Sequence, residues 1–132
     1  MGAISYLLDT HTFLWTVRGS KNLSDIAIKI IEDPSVTIFV SAASAYEIMN
    51  KYRIGKLSEF EDVAKNYYNF IKKLRAESLP ITAQHAYLAG EFEWAHRDPF
   101  DRLLAAQAAV NNLTLITNDP MFLELSWIKV LW

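Results

Sequence analysis

The 132-residue sequence contains no cysteine and only four glycines and four prolines. The lack of cysteine excludes disulfide bonds and thiolate metal ligands, and it is consistent with a cytoplasmic protein. No apolar run approaches the roughly 20 residues of a membrane span, so we expect no contact with a membrane. An excess of basic residues is also missing, because the net charge is −2. A polyanionic partner would therefore need a local basic patch or a bound cation.

Apolar residues make up 52% of the chain and charged residues 21%, which excludes disorder as the main state. The length suits one hydrophobic core, so we expect residues 1–132 to form a single domain. The first residues lack a basic stretch and run directly into a strand-like segment, and we therefore predict no signal peptide.

Short aliphatic segments alternate with helical segments along the chain. This alternation predicts an α/β fold with helices on both faces of a central, mainly parallel sheet of about four to five strands. The predicted strands cover residues 4–8, 36–40, 79–81, 113–116 and 127–131. Predicted helices include residues 41–52, 60–76 and 83–94. In such sheets, ligands bind at the carboxyl ends of the strands, near a point where the strand order reverses.

A further helix begins at Asp98 and Pro99. Aspartate suits the N-cap position, and proline suits the first helical position, where its missing N–H costs nothing. Asp101 then falls in the first turn, where free N–H groups and the helix dipole favour a carboxylate. The following residues are almost all apolar, so this helix is expected to be buried. A well-capped core helix would explain both aspartates without any further function.

Other carboxylates occupy comparable places. Asp9 and Asp119 each follow a predicted strand, and each suits an N-cap as well as a ligand site. Glu47 lies on a helix of small and apolar residues, on one face with Ser44 and Lys51. An ordinary surface pair with Lys51 is one interpretation of Glu47. The small residues before it favour the other interpretation, a buried acid.

Four carboxylates in one cleft would repel one another, and some of their pKa values would rise. A divalent cation removes that cost, and Mg²⁺ and Mn²⁺ both prefer oxygen ligands. Such a centre activates water and neutralises the charge that develops on a phosphodiester. It would also allow an acidic protein to bind a polyanion.

Four motifs, at residues 7–11, 41–48, 96–108 and 115–119, resemble those of the PIN domain family and occur in the family's order. Within that family the chain is similar to the VapC-like ribonuclease toxins of bacterial toxin–antitoxin pairs. The resemblance implies a PIN-like three-layer α/β/α fold and a Mg²⁺-dependent endoribonuclease, in which Mn²⁺ can substitute. It also implies an RNA substrate, a cognate antitoxin and a homodimer.

The resemblance implies a catalytic set of four acids, which are Asp9, Glu47, Asp101 and Asp119. Asp9 and Asp101 would bind the metal directly, and Glu47 and Asp119 directly or through water. Thr117 matches a small hydroxyl residue that supports the site, and Asp98 would support it as a helix cap. In-line attack by water at phosphorus would leave a 5′-phosphate and a 3′-hydroxyl.

Basic residues near these motifs are candidates for contact with RNA phosphates, although a solvated surface also explains them. They are Lys51, Arg53, Lys56, Arg97 and Arg102. Two alternatives to the ribonuclease remain open. One is a PIN-type module that binds partners without catalysis. The other is a different Mg²⁺-binding phosphoryl-transfer protein of the α/β class, although Asp9-Thr10-His11 lacks the second aspartate of an aspartyl phosphatase.

The histidines and tryptophans carry a weaker signal. Three scattered histidines are too few to indicate general-base catalysis, although His11 and His96 belong to the family-like motifs. The four tryptophans are mostly expected in the core. Some of them are expected at a dimer face or an antitoxin contact.

Overall fold

The computed structural model describes residues 4–132, which form five strands and seven α-helices. The strands are β1 (Ser5–Leu8), β2 (Thr37–Ser41), β3 (Glu77–Leu79), β4 (Thr114–Ile116) and β5 (Lys129–Leu131). The helices are α1 (Thr10–Arg18), α2 (Asp25–Glu32), α3 (Ala42–Arg53), α4 (Glu61–Lys65), α5 (Tyr67–Leu74), α6 (Ala83–Glu91) and α7 (Pro99–Val110). None of the helices in this range is long and apolar enough to span a bilayer. The signal-peptide prediction also concerns residues 1–3, which lie outside the described residues.

All five strands run parallel in one sheet, in the order β3-β2-β1-β4-β5. This arrangement confirms the predicted α/β class and the parallel sheet. The chain extends the sheet from β1 to β3 in one direction, and then returns to the other side of β1 for β4 and β5. The strand order therefore reverses between β1 and β4, and the sheet offers a ligand crevice at the carboxyl ends of these two strands.

Neighbouring residues of the central strands point into two separate cores. Leu8 and Ile116 pack in a cluster with side chains from α1 to α5, whereas Leu7 and Leu115 pack in a second cluster with α7. Successive side chains of a strand face opposite sides of the sheet, so a strand buried on both faces reads as a continuous apolar run. The helices therefore cover both faces, as the three-layer prediction requires.

The single helix predicted over residues 60–76 is wrong. A short 3₁₀ helix (Ser58–Phe60) is followed by α4 and α5, which are separated at Asn66. The backbone of Asn66 leaves the helical region, with φ −128° and ψ 33°, and its side-chain amide donates to the Asp62 carbonyl oxygen at 3.0 Å. The Asn66 backbone N–H donates to the same carbonyl oxygen at 3.1 Å, so the break in this amphipathic segment coincides with local bonding of a kind that asparagine side chains favour.

Several other predicted boundaries shift, most of them by one residue. β3 ends at Leu79 rather than at residue 81, because Pro80 has no N–H to donate to a neighbouring strand. α6 ends at Glu91 rather than at residue 94, since Phe92 adopts an extended conformation. β5 begins at Lys129 rather than at residue 127, and it pairs with the three residues of β4.

Candidate active site

A cleft of about 410 Å³ lies at the carboxyl ends of β1 and β4, where the strand order reverses. All four predicted acids line it, although they are separated by up to 110 positions in the sequence. They are Asp9, Glu47, Asp101 and Asp119. Each acid is contributed by a different element boundary or helix, so the parallel topology alone brings them together.

Asp9 is buried and holds the start of α1. One carboxylate oxygen accepts the Thr12 backbone N–H at 2.8 Å, as an N-cap does, and the other accepts the Thr117 hydroxyl at 2.5 Å. Burial raises the pKa of Asp9, and the hydrogen bonds from Thr117 and Thr12 oppose that rise. Asp9 therefore has the structural role that its position after β1 predicts, and it also faces the cleft.

Glu47 is buried, with 4% of its surface exposed. The Thr10 hydroxyl donates to one of its carboxylate oxygens at 2.6 Å, and the Lys51 ammonium lies 2.5 Å from the other. Because the hydrogen of the Thr10 hydroxyl goes to Glu47, the Ser44 hydroxyl donates to Thr10 in their 2.9 Å contact. The structure supports the buried-acid interpretation of Glu47, and the pair with Lys51 is formed by a buried carboxylate and not at the surface.

Asp98 is the N-cap of α7 and Asp101 lies in its first turn, as predicted. One oxygen of Asp98 accepts the N–H groups of Phe100 and Asp101, at 2.9 and 3.2 Å. The Asp101 carboxylate lies 2.6 Å from Nε2 of His96. Desolvation raises the pKa of Asp101 to about 6; the hydrogen bond from His96 opposes this rise, and the nearby Asp98 charge adds to it.

Asp119 caps a 3₁₀ helix (Pro120–Glu124) by accepting the Met121 N–H at 3.0 Å. Its own backbone N–H donates to the Thr117 hydroxyl oxygen at 3.0 Å, while that hydroxyl donates to Asp9. Thr117 is buried and directly links the first and fourth acids. The structure thus links the Asp9 carboxylate, through one hydroxyl group, to the backbone of Asp119, 110 positions later in the sequence.

The chemistry of this donor set fits a hard divalent cation. Carboxylate oxygens line the cleft, and the burial that raises the pKa of Asp9 and Asp101 makes their unshielded charges costly. A cation relieves that cost, and oxygen donors are the ligands that Mg²⁺ and Mn²⁺ prefer. Within residues 4–132, one set of three ligand-type side chains has atoms all within 4.8 Å of one another: His96, Asp98 and Asp101.

The five predicted basic contacts are placed differently. Lys51 lines the cleft, whereas Arg53, Lys56 and Arg97 are exposed outside its lining. Arg53 donates to the side-chain oxygen of Asn50 at 2.7 Å. The structure therefore places one predicted basic contact beside the acids.

Arg102 is occupied within the protein. Its guanidinium stacks over the Phe92 ring at 4.3 Å and donates to four backbone carbonyl oxygens, one in the last turn of α6 and three in the segment between α6 and α7. These are the carbonyls of Ala89, Phe92, Trp94 and His96. Because its donors are used in this way, Arg102 anchors the segment that carries His96 and is not free to contact a phosphate.

Two hydrogen bonds to the acids were not predicted from the sequence. The Thr10 hydroxyl bonds to Glu47, and His96 bonds to Asp101. Thr10 directly follows Asp9 in the first motif, and this position could have indicated that Thr10 lies at the site. His96 lies five residues before Asp101 in an irregular segment, so no helical or strand period predicts their contact.

Comparison with known families and structures gives a consistent picture. The PIN domain family model matches residues 6–128. No sequence among the curated proteins matches the chain. Solved structures with a similar fold include VapBC2 from Rickettsia felis bound to a DNA fragment from its promoter, with 20% identity, a TM-score of 0.71 and coverage of 97% of this chain and 98% of that one.

Two further structures share the fold. DNA-bound VapBC from Salmonella typhimurium has 23% identity and a TM-score of 0.73, and the match covers 97% of each chain. VapBC-5 from Mycobacterium tuberculosis has 18% identity and a TM-score of 0.59, over 96% of this chain and 95% of that one. Because the sequence identities of these three structures are 18–23%, the matches show a shared fold.

Proposed function

We propose that this chain, which belongs to the PIN domain family, is a metal-dependent endoribonuclease. Members of the family are generally nucleases that use a divalent metal. The observation that carries the proposal is the convergence of Asp9, Glu47, Asp101 and Asp119 in one cleft at the switch point of the sheet. Ligand sites of open α/β sheets lie at this place. The family match also disfavours the alternative of a different Mg²⁺-binding phosphoryl-transfer protein.

The proposed cofactor is Mg²⁺, with Mn²⁺ as a substitute. Asp9 and Asp101 would hold it directly, and Glu47 and Asp119 directly or through water. When bound, the cation would supply charge neutralisation at the scissile phosphate and a lowered pKa for water. The proposed reaction is hydrolysis of an RNA phosphodiester to a 5′-phosphate and a 3′-hydroxyl.

The surrounding side chains have distinct proposed roles. Thr117 and Thr10 fix the orientation of Asp9 and Glu47 through hydrogen bonds of 2.5 and 2.6 Å. Such partners of ligating carboxylates preserve the geometry of a metal site. Asp98 supports the position of Asp101 by capping α7. Lys51 is the proposed phosphate contact within the cleft, because its ammonium group lies beside Glu47 there.

The remaining basic residues of the proposed RNA contact are Arg53, Lys56 and Arg97, which lie outside the cleft lining and are exposed. At these positions they can meet the flanking phosphates of a bound strand without disturbing the core. Arg102 is left out of this set, because its guanidinium is bonded to backbone carbonyls. We expect the exposed three to affect RNA affinity more than turnover.

We further propose that the protein acts as the toxin of a toxin–antitoxin pair in the cytoplasm and forms a homodimer. The support for an antitoxin is that structures with a similar fold are VapBC toxin–antitoxin complexes. A small neighbouring gene that encodes a DNA-binding protein would support this part of the proposal. Co-purification of the two gene products would test it directly.

The test is cleavage of a panel of single-stranded and structured RNAs by the purified protein, with Mg²⁺, with Mn²⁺ or with EDTA. Asp9→Asn is the informative variant, since asparagine can still cap α1. Glu61→Gln on the exposed surface of α4 is the matched control.

We expect cleavage that needs the metal, leaves 5′-phosphates, disappears in Asp9→Asn and persists in Glu61→Gln. Equal cleavage by all three proteins would instead identify a contaminating nuclease. Binding of the cation without any cleavage across the panel would favour the alternative of a PIN-type interaction module.

A further inference from the structure

Three aromatic side chains form a continuous wall beside the acid cleft. His11 and Trp15 lie one turn apart on the same face of α1, with ring centroids 5.8 Å apart and planes at 44°. Trp132, directly after β5, meets Trp15 edge to face at 5.9 Å. His11 and Trp15 themselves line the cleft that contains the four acids.

The packing of Trp15 differs from that of a core tryptophan. Trp132 packs against one of the two hydrophobic clusters that residues 4–132 form, whereas Trp15 is part of neither. The recorded ring neighbours of Trp15 are His11 and Trp132. Trp15 is half-buried and lines the cleft, and Trp132 holds its ring through the edge-to-face contact.

The wall also connects the cleft to a second depression. This depression has a volume of about 450 Å³, extends from Thr117 to Trp132 and shares Asn118 and Asp119 with the cleft. The exposed side chain of Leu123 lies in its lining as well. A strand with its phosphate at the acids would therefore have room for a neighbouring nucleotide along the aromatic wall.

Charge alone gives this cleft little attraction for RNA. The lining contains the four acids and Asp98, and the net charge of the chain is −2. Stacking of a base on an aromatic ring supplies affinity that does not depend on positive charge. A base can stack on a protein ring only when it is unpaired, so such a ring favours single strands and loops over duplexes.

We propose that Trp15, held by Trp132 and flanked by His11, is a stacking platform for an unpaired base of the RNA next to the scissile phosphate. The inference rests on the proposed ribonuclease function, and it specifies the substrate as a single-stranded segment. Trp15 would thus be a substrate-binding residue, and the hydrophobic contact would restrict cleavage to strands whose bases are exposed.

The first test measures RNA binding in the Asp9→Asn background, so that the probe is not cleaved. Fluorescence anisotropy follows a labelled 12-nucleotide single strand and the same sequence in a duplex, both in Mg²⁺. Trp15→Leu removes the aromatic face and Trp15→Phe retains a smaller one. Trp127→Leu is the matched control, because Trp127 is 43% exposed and contacts Phe92 outside both depressions.

We expect Trp15→Leu to weaken binding of the single strand about tenfold, Trp15→Phe to weaken it less, and Trp127→Leu to leave it unchanged. Duplex binding should not respond to Trp15→Leu. Circular dichroism tests whether each variant is folded. If Trp15→Leu does not fold, Trp15→Phe still tests the proposal. The proposal is refuted if both Trp15 variants bind the single strand with unchanged affinity, or if Trp15→Leu weakens duplex binding by the same factor.

A second readout separates this inference from the proposed function. In the active protein, Trp15→Leu should raise KM for single-stranded RNA more than it lowers kcat. Metal-dependent cleavage with an unchanged KM would refute the platform and leave the ribonuclease intact. A protein that neither cleaves nor binds RNA in Mg²⁺ or Mn²⁺ would refute both.

Discussion

Two glutamate–lysine pairs with identical spacing occur on α3 and α4, and their surroundings differ completely. Glu47 and Lys51 are 2.5 Å apart, with 6% and 34% of their side chains exposed. Glu61 and Lys65 are 3.1 Å apart, with 53% and 60% exposed. An i,i+4 ion pair is the same pattern in both helices. What distinguishes them is the burial of Glu47 against α1, where the Thr10 hydroxyl reaches it.

The two environments also act in opposite directions on carboxylate ionisation. The hydrogen bond from Lys65, followed by that from Tyr52, lowers the pKa of Glu61. In the cleft, burial raises the pKa of Asp9 and of Asp101. A surface carboxylate thus ionises easily, while the cleft holds carboxylates whose negative charge is costly until a cation binds. Carboxylates whose pKa values are raised by burial are typical of functional sites.

The largest effect is expected for the matched pair of variants Glu47→Gln and Glu61→Gln. Glu47→Gln removes a charge from the proposed metal site, and metal-dependent RNA cleavage should fall about 100-fold. Glu61→Gln should leave the rate unchanged, because Glu61 is exposed far from the cleft lining. Initial rates of RNA cleavage at saturating Mg²⁺ measure both. If both variants lost the same amount of cleavage rate, Glu47 would have no role in the cleft that distinguishes it from Glu61.

A smaller effect is expected when the hydroxyl that orients Glu47 is removed. Thr10→Val deletes the donor to Glu47 and leaves the carboxylate less well positioned, so activity should fall about tenfold. The control is Thr16→Val, which deletes a hydroxyl bond to the Thr12 carbonyl in the same helix, outside the acid cleft. Both variants should lose about 1 kcal/mol of stability by urea unfolding. An activity loss in Thr16→Val as well would show that α1 stability, and not Glu47 orientation, controls the rate.

The smallest effect concerns pH and stability without metal. The folded pKa of Asp101 is about 6, above its ordinary value of 3.8. Between these values the folded protein binds more protons than the unfolded chain, so this group lowers stability as pH rises through the window. Relative to the parent, Asp101→Asn should therefore gain on the order of 1 kcal/mol between pH 4 and pH 7.

Urea unfolding in EDTA at several pH values measures this difference. Glu61→Gln serves as the comparison, because the pKa of that exposed carboxyl is lowered instead of raised. The account fails here if the stability difference between Asp101→Asn and the parent stays constant with pH, since desolvation would then not act on Asp101.

Local signals in the sequence predicted much of this structure. Asp98 followed by Pro99 specifies a helix start by short-range chemistry, and α7 begins there. The alternation of strands and helices likewise predicts a parallel sheet, with ligands expected at the carboxyl ends of its strands. These predictions depend on residues close in the chain, whereas the strand order, which places the switch point between β1 and β4, comes from the structure.

Other features depend on contacts between distant residues. The spacing of Glu47 and Lys51 fits a surface pair and a buried acid equally, and only the position of Thr10 on α1 decides between them. Arg102 resembles a phosphate contact until the loop before α7 folds around its guanidinium. The break at Asn66 coincides with a side-chain amide bond to Asp62, and the strongly amphipathic pattern of the segment gives no sign of it.

The most direct test of the central claim is calorimetric titration of the protein with Mn²⁺ and Mg²⁺. The informative variant is the double change Asp9→Asn and Asp101→Asn, and the control is Glu61→Gln with Asp62→Asn, which removes two acids from the exposed surface of α4. The account predicts that the control binds the cation like the parent and that the cleft variant shows no binding. Unchanged cation affinity in the cleft variant would contradict it.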